Sequence, residues 1–130
     1  MGEQSVKQIQ SKAEMRAFTQ HLFRDIRALE IMLERNMFET GITRIGAEQE
    51  MFLTDNNYGP NSTALKVLED IKDDRFTNEI ALFNIEANLT PRRFVGKCLR
   101  QMEEEIKEVI SIAKRHAADH DSKIVLAGIL

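Results

Sequence analysis

The chain has a single cysteine, Cys98, so no intrachain disulfide can form. That fits a reducing, cytoplasmic setting. No apolar run approaches the roughly 20 residues that span a bilayer, and the first ten residues contain no apolar signal-peptide core. Gly2 follows Met1, but position 6 is Val6 rather than Ser or Thr, which rules out the N-myristoylation pattern. An excess of basic charge is also missing. The formal net charge is -3 and the isoelectric point about 5.7, which argues against a nucleic-acid surface. A few arginines or a metal would still suffice to bind phosphate locally. The sequence has no phosphate-binding glycine loop, no Ser-His-Asp arrangement, no internal repeat and no low-complexity tract.

The 130 residues, 42% of them apolar, have the composition of one folded domain or of a piece of a larger one. A chain of this size buries roughly two-thirds of its unfolded surface. Ser11 and Glu14 form a capping-box signature. Met15, Phe18, Leu22, Ile26, Leu29, Met32 and Leu33 then recur at helical spacing, which predicts a helix over 12–38 with Gly41 as its stop. Residues 43–54 alternate with period two. Ile45, Ala47, Gln49 and Met51 share one face, and Gly46, Glu48, Glu50 and Phe52 the other, which predicts a strand. Residues 55–61 are dense in turn formers.

Ser62 is placed to cap a short helix to Ile71, with Leu65 and Leu68 inward. Residues 78–88 read as a second strand. Ile80, Leu82, Asn84, Glu86 and Asn88 share one face and Glu79 sits on the other, unless a bulge intervenes. Thr90 and Pro91 resemble an N-cap followed by a first-turn proline. They open a helix to about His120 with the stripe Phe94, Cys98, Met102, Ile106, Val109, Ile110 and Ala113. Residues 122–130 read as a third strand, apolar enough to be central and covered on both faces. The expected class is α+β, an antiparallel sheet in the order α-β-α-β-α-β. The apolar ending at Leu130 and the thin sheet lead us to expect a single domain, 1–130, that is the N-terminal portion of a larger catalytic domain.

Glu48 and Glu50 carry the sharpest chemistry. On a strand, side chains at i and i+2 point the same way, roughly 6–7 Å apart. Two carboxylates so placed repel unless a cation lies between them, and hard divalent ions such as Mg²⁺ take oxygen ligands. Gly46, on the same face, would let a ligand approach the backbone. The same Glu-X-Glu pattern also describes a merely solvated strand face. Asn84, Glu86 and Asn88 present three oxygen-bearing side chains on one strand face, although Asn is depleted in strands. If the two strands are neighbours, Glu86 joins Glu48 and Glu50. Arg92 and Arg93 could meet an anion at a helix start, or stand solvated. His116 and His120 are four residues apart but lack the intervening Glu of HExxH. With His21 they read as surface residues, and Cys98 reads as core.

Taken together, these motifs resemble a known family. Gly46-Ala47-Glu48-Gln49-Glu50-Met51-Phe52-Leu53 resembles the opening strand of the second glutamate–cysteine ligase family, which carries Gly-X-Glu-X-Glu followed by apolar residues. Asn84-Ile85-Glu86-Ala87-Asn88-Leu89-Thr90-Pro91 resembles its second strand, and Ile124-Val125-Leu126-Ala127-Gly128-Ile129-Leu130 its third. The resemblance spans about residues 10–130, with the motifs in family order. It implies a glutamine-synthetase-like fold whose curved antiparallel sheet forms a funnel lined by glutamates. These glutamates bind Mg²⁺ ions that hold ATP. A carboxylate is phosphorylated, and an amine then attacks the acyl phosphate. Glu48, Glu50 and Glu86 carry over as metal ligands. Arg92 and Arg93 match no family position, and the nucleotide site would lie beyond Leu130.

The expected function is therefore an ATP- and Mg²⁺-dependent carboxylate–amine ligase, glutamate–cysteine ligase-like. This chain would contribute its metal-binding strands and be inactive alone. Its partners would be small amino acid or other carboxylate and amine substrates, with no nucleic acid and no membrane, and a homo-oligomer is an open option. The competing expectations are a non-catalytic regulatory or oligomerisation module built on the same fold, and a folded domain with no ligand.

Overall fold

The structure is a computed structural model that describes residues 8–128. Among the described residues the chain is mixed α+β, with three helices and antiparallel sheets. The chain falls into two units, Met1–Ile42 and Thr43–Leu130.

The first unit is built on α1, Lys12–Glu34. The expected capping box forms: Ser11 Oγ accepts from the Glu14 N–H at 3.2 Å, and Glu14 Oε2 accepts from the Ser11 N–H at 3.0 Å. The helix stops earlier than expected, at Asn36 rather than Gly41. Asn36 takes the left-handed conformation (φ 51°). The Met37 N–H then bonds the Met32 carbonyl at 2.9 Å, and the Asn36 N–H bonds that of Leu33 at 3.1 Å. This is a Schellman closure, which asparagine tolerates better than other side chains do.

The second unit holds β1 (Arg44–Ile45), β2 (Glu48–Thr54), α2 (Ala64–Ile71), β3 (Phe76–Asn78), β4 (Asn84–Asn88), β5 (Arg92–Arg93), α3 (Cys98–Ala118) and β6 (Lys123–Val125). The main sheet has the order β3-β4-β2-β6, antiparallel throughout, and β1 pairs with β5 in a separate ribbon. Met51, Leu53, Ile85 and Ala87 on one sheet face pack with Ala64 and Val67 of α2 and Val109, Ala113 and Ala117 of α3. The alternation expected for β2 is therefore realised from Glu48 onward.

Several expectations are corrected. Residues 43–54 form two strands rather than one. The chain leaves the sheet at Gly46 and Ala47, where the Ala47 carbonyl accepts from the Leu89 N–H at 2.9 Å. Residues 78–88 are not a single strand. They turn through 79–83, so that β3 and β4 form a hairpin. The helix after Pro91 does not start there. Arg92 and Arg93 pair with β1 instead, the Phe94 N–H bonds the Thr43 carbonyl at 2.8 Å, and α3 begins at Cys98. Phe94 is consequently exposed. In α2, Val67 and Leu68 turn inward while Leu65 is exposed. The third strand is short and lies at the end of the sheet order, with Leu126 exposed. Residues 129 and 130 of that expected strand lie outside the described residues.

Candidate functional site

β2 and β4 pair so that Glu48 faces Asn88, Glu50 faces Glu86 and Phe52 faces Asn84. Directly opposed residues of an antiparallel pair project on the same side. Glu48, Glu50 and Glu86 thus share the sheet face opposite the helices, together with Asn84 and Asn88. The hairpin adds to this face. Thr77 lies across from Glu86, and the Glu79 N–H reaches the Asn84 carbonyl at 3.4 Å. Glu79, expected on the opposite face, therefore joins this one, near enough to act on the Glu86 carboxyl. The turn at 79–83 supplied the reversal that a single-strand reading lacked.

The acidic residues differ in environment. Glu48 and Glu50 are exposed, whereas Glu86 is 7% exposed. Burial raises the Glu86 carboxyl above its ordinary range, and the neighbouring Glu79 raises it further. The Asn88 side-chain amide opposes this by donating to Glu86 Oε1 at 2.6 Å.

Asn84 Oδ1 is buried and accepts no hydrogen bond, an energetically costly state for an amide oxygen. At the β2 entrance an open depression of about 380 Å³ is lined by Gly46, Ala47, Glu48, Asn88, Leu89 and Pro91. The space beside Gly46 is empty to 4 Å, as a close backbone approach would require.

The donor set is all oxygen, which suits a hard cation. Among the described residues, however, no group of three His, Cys, Asp or Glu side chains is gathered closely enough to hold a metal ion. The register brings the carboxylates onto one face without closing them around a point.

Arg92 does not present itself to an anion. Its Nη2 donates to Glu105 Oε2 at 2.8 Å. Glu105 Oε1 accepts from the Thr90 N–H at 3.1 Å and from Thr90 Oγ1 at 2.7 Å. Thr90 is thus spent on α3 rather than capping a helix of its own. Arg75 Nη1 approaches Glu105 at 3.6 Å, and its Nη2 bonds Asp73 at 2.7 Å and Glu108 at 2.8 Å. Burial pushes Glu105 up, but the Thr90 bonds and Arg92 outweigh it and hold the carboxyl below its ordinary value. Sequence reasoning missed Glu105. The available signal was a charged residue in register with Met102 and Val109 on the buried stripe of α3.

Arg93 is exposed and faces Arg44 across the ribbon. His120 Nε2 lies 2.7 Å from Asp70 Oδ2, joining the end of α3 to α2, and Cys98 is buried. No helix among the described residues is long and apolar enough to cross a membrane.

Comparison with known proteins gives no match to a family model, a curated protein or a solved structure.

Proposed function

We propose that the chain supplies metal-binding strands to an ATP- and Mg²⁺-dependent carboxylate–amine ligase of glutamate–cysteine ligase type, acting in the cytoplasm within a glutamine-synthetase-like sheet. The supporting observation is the placement of Glu50 directly across from Glu86, with Glu48 beside them on one sheet face.

In this reading Glu48, Glu50 and Glu86 hold the ion, and the partnerless Asn84 oxygen adds a further acceptor. Bound Mg²⁺ would neutralise charge on a transferring phosphoryl group. The reaction joins a substrate carboxylate oxygen to the γ-phosphorus with ADP leaving. An amine nitrogen then attacks the acyl carbon, and phosphate and the amine proton leave. The chain's own residues set the stage. Asn88 fixes one Glu86 oxygen through its 2.6 Å bond. Glu48 and Glu50 are exposed on the same face. The small-molecule carboxylate and amine substrates would be bound by parts of the enzyme outside this chain.

The test is a calorimetric Mg²⁺ titration of the chain, alone and with ATP, alongside Glu48→Gln, Glu50→Gln and Glu86→Gln. The reading expects saturable binding that weakens in each variant. If none of the substitutions alters the titration, the metal role is lost.

A second reading, a non-catalytic assembly module, is favoured by a different observation: α1 has an apolar stripe and no buried residue. Assembly without any Mg²⁺ or nucleotide response would select it.

A further inference from the structure

We infer that α1 is a self-pairing surface, on which a second copy of this chain docks antiparallel with its two-fold axis near Phe23. The inference rests on the helix alone and holds whether or not the acidic sheet face binds a metal.

Met15, Phe18, Leu22, Ile26, Leu29 and Leu33 lie on one side of α1, spaced by three and four residues. Each is between 45% and 59% exposed. Along a 23-residue helix the stripe runs from Met15 to Leu33, over about 27 Å. A continuous apolar stripe of that length on a charged helix has the form of a helix–helix seam.

The charges bordering the stripe identify the occupant. On one flank run Lys12 and Arg16, then Phe23, then Glu30 and Glu34. That flank is basic at its N-terminal end and acidic at its C-terminal end. In an antiparallel helix pair, equivalent flanks meet with their order reversed. Lys12 then meets the partner copy's acidic end at the height of Glu34, and Arg16 meets it at the height of Glu30. The exposed Phe23 lies where the flank crosses itself. On the other flank His21 and Asp25 are placed symmetrically about the same centre. Two charged pairs, one His–Asp pair and one aromatic thus agree on a single axis.

Parallel pairing would set the first flank against the second. That flank carries Glu14 near Lys12 and Arg16, but only Met32 at the height of Glu30 and Glu34. The antiparallel arrangement also opposes the two helix dipoles favourably. The Arg27–Glu30 pair, 2.9 Å apart and exposed on both sides, is weak enough to rearrange.

The experiment is sedimentation velocity on the full chain over micromolar to submillimolar concentrations, with two charge-reversed variants. One carries Lys12→Glu with Arg16→Glu, the other Glu30→Lys with Glu34→Lys. Both leave the capping box intact, and both suit the helix dipole better than the native residues do. A loss of association therefore cannot be ascribed to loss of the helix, and circular dichroism checks that point. The expected result is a wild-type mass rising toward twice 15.0 kDa. Each variant alone should dissociate at least about tenfold more readily, because attractive pairs have become repulsive. An equimolar mixture of the two variants should regain the dimer, since each now complements the other. A wild type that stays monomeric at every concentration overturns the inference, and this includes the case in which the stripe is taken up within its own chain. Variants that associate as well as wild type also overturn it, as does a mixture that fails to recover.

Discussion

Glu50 lies directly opposite Glu86 in the β2–β4 register. Like charges in that position destabilise a sheet unless something neutralises them. Without divalent ions, Glu50→Gln should therefore raise the thermal midpoint, by about 2–4 °C. The metal reading adds an opposite expectation under ligand. Millimolar Mg²⁺ should stabilise the wild type, and the variant should need at least about tenfold more to match it. Differential scanning fluorimetry across a Mg²⁺ series measures both. A variant that is no more stable without metal and equally responsive with it would remove Glu50 from the site.

How far the sequence could be read is clearest around this pair. The face shared by Glu48 and Glu50 was legible because period-two alternation is a local property of a strand. The capping box at Ser11 and Glu14 was legible for the same reason. The arrival of Glu79 beside Glu86 was not. It depends on a reversal at 79–83 where Ile80 and Leu82 look like a continuing strand, yet both are exposed. The start of α3 was misplaced because Thr90-Pro91 has the local chemistry of a helix start. A contact fifteen residues away claims Thr90 instead: the bond from its hydroxyl to Glu105. Local signals survive where no distant partner competes for the same atoms.

That competition has a measurable cost. Glu105 is 6% exposed and joins Thr90, Arg92 and Arg75. Replacing it with Gln keeps the shape but removes the charge that Arg92 meets, and Arg92 Nε is already buried without a partner. The loss should be roughly 2 kcal/mol at neutral pH. Its pH dependence follows from the direction of the shift. The Glu105 carboxyl is held below its ordinary value, so its contribution is complete above the unfolded value of about 4.3. It fades as pH falls through the lower folded value. Urea denaturation from pH 7 downward should show wild type and Glu105→Gln converging only below about pH 4. A constant difference down to pH 3 would assign the effect to packing.

The core should respond as a close-packed one does. Leu53 is fully buried among Met51, Ile85, Val67 and the α3 residues. Leu53→Ala should cost about 2–5 kcal/mol, read as a shift in urea midpoint with little change in slope. Leu65→Ala, on the exposed side of α2, should cost well under about 1 kcal/mol. Equal losses at the two sites would contradict the orientation of α2 against the sheet.

The end of α2 offers a stabilising change. Lys72 closes the helix in the left-handed region, at φ 49° and ψ 40°, with its N–H on the Leu68 carbonyl at 3.4 Å. A β-carbon there crowds the following carbonyl, which costs roughly 1 kcal/mol that glycine avoids. Glycine also gains freedom in the unfolded chain, which offsets part of the benefit. Lys72→Gly should therefore stabilise by a net of about 0.5 kcal/mol. Lys72→Ala, which keeps the β-carbon while removing the charge, should gain nothing. Measuring both by urea denaturation separates backbone strain from charge: a gain in the alanine variant equal to that in the glycine variant would assign the effect to the ammonium group instead.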